Sequence, residues 1–220
     1  MTRPLLDLNG LKEAASAFAA ELSATSIPAL YGTTDGKAVG TFVEHLFQEY
    51  LDERFDHTPG NSASGIDFPD LNMDLKVTSV RQPQSSCPFR SAEQKVYGLG
   101  YHLLVFVYQK VDDPEEQVAW LDIQNCVFVH CDRTADHQTT RGISDILERD
   151  GNKDDVIAFL IERNLPLDEI GLDSLADRIM QTPPALGYLT ISNALQWRLQ
   201  YSRAIEFAST ESRDGVEELK

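Results

Sequence analysis

Apolar and polar residues follow two different rhythms along this chain of 220 residues. In Asn9–Leu22, Leu11, Ala15, Phe18, Ala19 and Leu22 recur at helical spacing, which predicts an amphipathic helix. A second helix is predicted over Lys37–Glu53. Val39, Phe42, Val43, Leu46, Phe47 and Tyr50 form its apolar stripe, His45, Glu49, Asp52 and Glu53 its wet side, and Glu44 stands on the border. The rhythm then shortens to two. Gly65–Phe68 and Met73–Val77 are short β-prone runs flanking Pro69-Asp70-Leu71-Asn72, which predicts a hairpin or tight bend. Tyr101–Tyr108 is continuously apolar and of strand length, fitting a central strand buried on both faces. Two more strands are predicted, Gln117–Ile123 and Cys126–His130, after the acidic turn Asp112–Glu116. From Gly142 the pattern is mostly helical, over Ile143–Arg149, Lys153–Arg163, Ser174–Gln181 and Ser192–Ala208, and the polar tail Ser209–Lys220 is expected to fray.

The bend is where chemistry concentrates. Side chains two apart in a strand point the same way, so Asp74 and Lys76 project together while Met73, Leu75 and Val77 face the core. Folding back at Pro69–Asn72 brings Asp67 beside Asp74. Two carboxylates and a lysine at one end of a sheet suit phosphodiester hydrolysis. Hard oxygen ligands hold Mg²⁺, whose bound water becomes a usable nucleophile, and a lysine helps position or activate it. Pro69-Asp70 offers a second candidate for the first acid. Only Leu71–Met73 would then separate it from Asp74, which favours Asp67 and leaves Asp70 a turn residue. Judged by pattern alone, Glu44 is an ordinary surface carboxylate.

Asp67-Phe-Pro-Asp-Leu-Asn-Met-Asp74-Leu-Lys76 resembles the D-F-x-x-L-x-x-E-L-K hairpin of the MutH-type branch of the PD-(D/E)xK restriction-like nucleases. Gly36-Lys37-Ala-Val39-Gly40-Thr-Phe-Val-Glu44 is similar to the helix that supplies this branch's extra acid. The resemblance covers roughly residues 36–110. It departs in having Asp74 where the branch has Glu, and in a longer gap between Glu44 and Asp67. It implies Glu44, Asp67, Asp74 and Lys76 as the catalytic set, with Asp67, Asp74 and the Leu75 carbonyl on Mg²⁺. It also implies an α/β (α+β) fold, a restriction-endonuclease-like core with a central mixed sheet flanked by helices. Residues 1–140 would form that core, 141–208 a helical C-terminal region and 209–220 an acidic tail. A parallel α/β fold with an unrelated site would give a similar order of elements.

A formal charge of −16 opposes DNA binding, because phosphate contacts normally draw on Lys and Arg. The acids are unevenly spread. Between Leu71 and Lys110 stand Lys76, Arg81, Arg90, Lys95 and Lys110 against only Asp74 and Glu93. Within that segment the loop Arg81–Arg90 is rich in Arg, Gln and Ser, side chains that pair with guanine and adenine edges. Arg81, Gln82, Gln84 and Arg90 are therefore candidate DNA contacts. Ser91–Gln94 has capping-box form and opens a short helix carrying Lys95, a candidate phosphate contact. Arg198, Gln200 and Arg203 read as the wet face of the last helix. Three cysteines fit a reducing compartment better than a disulfide framework, and Cys126, His130, Cys131 and His137 lack zinc-finger spacing. No apolar run is long enough to span a bilayer, and no signal peptide is evident, so the expected location is cytoplasmic. The expected function is a Mg²⁺-dependent Type II restriction enzyme, a homodimer acting on double-stranded DNA. A mismatch-repair-type nicking nuclease and a non-catalytic binding module on the same fold are the rivals.

Overall fold

The computed structural model describes residues 3–58, 60, 65–87, 90–192, 197–210 and 215–220. Most of the predicted polar loop 57–64, residues 88–89 of the candidate recognition loop, and parts of the last predicted helix and tail lie outside the described residues. In chain order the elements begin α1 (Leu8–Ser23), β1 (Ser26–Ile27), α2 (Gly36–Arg54), β2 (Met73–Ser79), β3 (Gln84–Cys87), α3 (Gln94–Tyr97), β4 (His102–Asp113) and β5 (Val118–Val129). There follow α4 (His137–Leu147), α5 (Lys153–Glu162), α6 (Glu169–Gln181), β6 (Thr190–Ile191), β7 (Trp197–Gln200), α7 (Ser202–Thr210) and β8 (Val216–Glu218). They form two compact units that interleave along the chain. Met1–Pro83, His102–Val129 and Ile205–Lys220 make the first, Gln84–Tyr101 and His130–Ala204 the second, so a single cut near residue 140 marks neither.

The first unit is a mixed sheet in the order β1-β5-β4-β2, with β8 also paired to β5, and it matches the restriction-like core expected from the sequence. β4 is the central strand. It pairs parallel with β2 and antiparallel with β5, and Leu103–Tyr108 is buried throughout, as its unbroken apolar run requires. The two strands expected after the acidic turn are one. Gln124, the polar interruption, is accommodated as a β-bulge where the register shifts opposite Val107 and Tyr108. The side chains of Asp7 and Asp35 cap α1 and α2 by accepting from Gly10 N (2.7 Å) and Lys37 N (3.0 Å). Both helices bury their apolar stripes in one core cluster with Met73, Leu75, Leu104, Phe106, Leu121 and Phe128. At its centre the Phe47 ring lies 5.0 Å from Phe18 and 5.3 Å from Phe106.

In the second unit β3-β7-β6 form an antiparallel sheet, and α3 to α6 surround a core that includes Val96, Ile143, Val156, Leu160, Leu175 and Ile179. Several local expectations are corrected here. The loop after β2 contains strand β3. The helix expected over Ser192–Ala208 is strand β7 followed by α7, because Trp197-Arg-Leu-Gln-Tyr201 alternates buried and exposed with a period of two. Helix α4 begins at His137, where the buried Asp136 caps it by accepting from Thr139 N at 2.9 Å. The capping box at Ser91 does not form: α3 starts at Gln94, whose side chain accepts from Arg90 N instead.

The tail is also corrected. β8 pairs with β5, Val216 is fully buried, Glu218 accepts from Cys126 N at 2.8 Å, and Glu217 pairs with Lys12 at 2.7 Å. Among the described residues no helix is long and apolar enough to cross a membrane. Val216→Asp is expected to cost about 2–4 kcal/mol, read as a fall in the midpoint of thermal or denaturant unfolding, because it places an unpaired charge in the sheet's core.

Candidate active site

β2 is the edge strand of its sheet, and this decides what its backbone can do. In a parallel ladder the N–H and C=O of one residue point to the same side. Leu75 N points away from β4, since it donates to Asp67 Oδ2 at 2.7 Å. The Leu75 carbonyl faces the same open edge and accepts from Lys76 Nζ at 3.1 Å. The bend that delivers Asp67 is tighter than a two-stranded hairpin. Phe68 and Met73 exchange backbone hydrogen bonds, Pro69–Leu71 make one 3-10 turn, and Asn72 closes it with φ of 49°. Gly65–Phe68 is thus a bend with a single bridge and no strand of its own.

The packing beneath sets the remaining distances. Phe68 is buried with its ring 6.3 Å from Phe47, so Asp67 is tied to α2 through the residue that follows it. Glu44, half-buried, lies one helical turn before Phe47, and Asp67 and Lys76 are near enough for their charges to act on it. Gly40, one turn earlier still, brings α2 against β2: a Cβ there would sit 3.7 Å from Val77 O. Glu44, Asp67, Asp74, Lys76 and the Leu75 backbone therefore come together at one open edge. Asp70 does not. It is exposed in the turn.

Two of the carboxylates in this space resist ionising, Asp74 and Glu44. Asp74, 6% exposed, is pushed up to about 7, chiefly by burial and further by the Asp67 carboxyl that hydrogen-bonds to it; Lys76 works against the shift. Burial, then the charge of Asp67, also raises Glu44. Lys76 Nζ lies 2.7 Å from Asp74 Oδ2 while touching the Leu75 carbonyl. The ammonium thus occupies the position of a cation between two oxygens.

A profile of the family described as Type II restriction enzyme NspV matches residues 5–218. The Type II restriction enzyme NspV of a Nostoc species is 56% identical over 212 residues, covering 96% of each chain. The chain belongs to the NspV family of Type II restriction enzymes. No solved structure matches it. Membership of this family accords with the nuclease resemblance carried by the Asp67–Lys76 hairpin.

The other candidate residues follow β2 along the chain. Arg81 and Gln82 are exposed in the turn after β2, where Gln82 O accepts from Thr78 Oγ1 at 3.1 Å. Gln84 is half-buried on β3, and Arg90 is exposed before α3. Lys95 is the exception to its expectation. It is 2% exposed, its ammonium is disfavoured by burial, and the charges of Asp136 and Arg163 act on it, so it is an interior cation with no free head to offer a phosphate. Cys126 is fully buried in the core of the first unit, where burial raises its thiol well above the usual range.

One positioning residue escapes pattern analysis. A Cβ on Gly60 would fall 2.4 Å from Asp67 O and 2.7 Å from Ile66 O, so only glycine fits against the Asp67 backbone at this position. A glycine within a polar loop carries no periodic signal. Gly60→Ala is expected to lower cleavage by about tenfold or more with little loss of secondary structure, measured as single-turnover rate beside far-UV circular dichroism.

Asp74 gives a pH prediction. Its carboxyl ionises near 3.8 when unfolded and near 7 when folded, so the folded state keeps the proton longer. In chelator-treated protein this contribution to stability is complete below about pH 4, falls as pH rises, and is gone above about pH 7. Asp74→Asn should flatten that slope and stabilise the metal-free protein at pH 8 by no more than about 4 kcal/mol, read from unfolding midpoints across pH.

Proposed function

We propose that this chain is a Mg²⁺-dependent, site-specific endodeoxyribonuclease that hydrolyses both strands of double-stranded DNA to 5′-phosphate and 3′-hydroxyl ends. The observation that carries this is the convergence of Glu44, Asp67, Asp74 and Lys76 on the open backbone of Leu75. The residues fit a hard divalent cation. Asp67 and Asp74 offer hard carboxylate oxygens beside the Leu75 carbonyl, and Lys76 Nζ already stands as a cation between Asp74 Oδ2 and that carbonyl. Asp67, Asp74 and the Leu75 carbonyl would hold Mg²⁺, with Glu44 as an outer acid. When bound there, Mg²⁺ supplies an acidified water and charge neutralisation at the scissile phosphate.

The chain's own groups do the rest. With its carboxylate partner engaged elsewhere, Lys76 can turn its ammonium to a phosphate oxygen or the attacking water, orienting the nucleophile and countering the charge that develops. Asp67 is kept in place by Leu75 N, so its carboxylate needs no reorganisation as substrate arrives. Arg81, Gln82, Gln84 and Arg90 are the proposed DNA contacts, and Lys95 is no longer among them. Binding should weaken as salt rises, with a slope set by how many phosphates these cations meet. Two copies acting as a homodimer would place one site on each strand. A cytoplasmic location suits a chain of three cysteines, an odd number that fits a reducing compartment better than a disulfide framework.

Digestion of plasmid DNA by purified protein, with Mg²⁺ and with EDTA, tests the proposal. Discrete fragments should form only with the metal. Asp74→Ala and Lys76→Ala should each slow cleavage by about a hundredfold or more at unchanged circular dichroism. Intact plasmid in low salt, or cleavage that survives Asp74→Ala, would reject it.

A further inference from the structure

The antiparallel register of the second unit's sheet assembles a surface that no single stretch of sequence displays. Gln84 lies opposite Gln200, and Ser86 opposite Arg198, while Thr190 adjoins Gln200 from β6. Residues directly opposite share a face, so these five side chains stand together. Ser86, Arg198 and Gln200 are exposed, and Gln84 and Thr190 half-exposed. The other face is largely buried: Cys87, Trp197, Leu199 and Ile191 are each at most 5% exposed, and the half-buried Ser85 bonds the Tyr201 hydroxyl. In a chain with 35 acidic residues, no Asp or Glu occurs on β3, β6 or β7.

We propose that this polar face of the β3–β7 ribbon reads base sequence, with Arg198 and Gln200 joining Gln84 as specificity-determining residues; this rests on the nuclease function proposed above. The chemistry selects duplex DNA as the occupant. The major groove admits a two-stranded β-ribbon, Arg pairs bidentately with the O6 and N7 of guanine, and Gln with the N6 and N7 of adenine. An acid-free face suits a polyanion. Strands hold these side chains more exactingly than a loop does, because the buried face fixes the pleat. Spacing sets a further condition. Arg198 and Gln200, two residues apart, stand about 7 Å apart along β7, or about two base-pair steps of ~3.4 Å when the strand follows the groove. Each should therefore govern a different base pair, separated by about two positions.

The test starts from the site at which wild-type enzyme cuts plasmid DNA. Duplex oligonucleotides carrying that site, and a set with each base pair substituted singly, are cleaved by wild type and by Arg198→Ala, Arg198→Lys and Gln200→Ala. Thermal melting confirms that each variant is folded, as expected for substitutions on an exposed face. The readout is the ratio of the rate on the intact site to that on each substituted site. Both Arg198 variants should lose about tenfold to a hundredfold of discrimination at one base pair, and Gln200→Ala at another about two pairs away. Lysine should not rescue, since it keeps the charge but lacks the planar fork. Folded variants that discriminate like wild type at every position would overturn the proposal and leave the nuclease function standing. So would an Arg198→Ala defect equal on all duplexes and rescued by lysine, the mark of a phosphate contact. A wild type that cuts no DNA would instead overturn the nuclease function, and this assignment with it.

Discussion

The position of β2 at the edge of its sheet is the constraint on which the site depends. A strand at the margin of a sheet exposes backbone donors and acceptors that must find partners or water. At Leu75 both groups are satisfied from outside the ladder, the N–H by Asp67 and the C=O by Lys76. Satisfying the edge and gathering the charged groups are thus one event. Were another strand paired along β2, Leu75 would have no hydrogen bond left for Asp67, and Asp67 no fixed position beside Asp74.

The arrangement is costly, and the core beneath absorbs the cost. Burial and mutual repulsion disfavour ionised Asp74 and Glu44, and Lys76 offsets this only in part. The hydrogen bonds of Asp67 and the Lys76 ion pair work against the repulsion among these carboxylates. The carboxylates are also held by the packing of Phe47 against Phe18, Phe68 and Phe106, which joins α1, α2, the bend and β4. The aromatic cluster sets how far Glu44 can stand from Asp67. A group of like charges is stable at this edge because apolar rings behind it cannot separate.

What could be read in advance was local and strongly periodic. Helices α1 and α2, the buried strand β4 and the same-side projection of Asp74 and Lys76 all follow from spacing. So does the choice of Asp67 over Asp70, because it turns on how few residues a bend can use. Most of the failures share a cause. Gln124 looks like a break between strands because a bulge is invisible until its partner strand is known. Ser192–Ala208 looks helical as a window, although Trp197–Tyr201 has the alternation of a strand. Lys95 looks like a surface cation because nothing near it in sequence announces Asp136. Gly60 bears on Asp67 only through a close approach in space. Apart from Trp197–Tyr201, whose alternation is local, each depends on a contact between segments far apart along the chain.

The interleaving of the two units bears on how specificity can change in this family. The ribbon β3–β7 is built from residues before β4 and residues after β5, so the second unit enters the first unit's chain at two places. The shortest contiguous block that contains it, residues 84–200, also carries β4 and β5 of the first unit. Exchanging a shorter block between relatives would pair half a ribbon with a foreign half, and exchanging the whole block would bring two strands of the first unit with it. Point substitutions on the outward positions of the strands remain open. They leave the alternating inward residues, and the hydrogen-bond ladder, untouched.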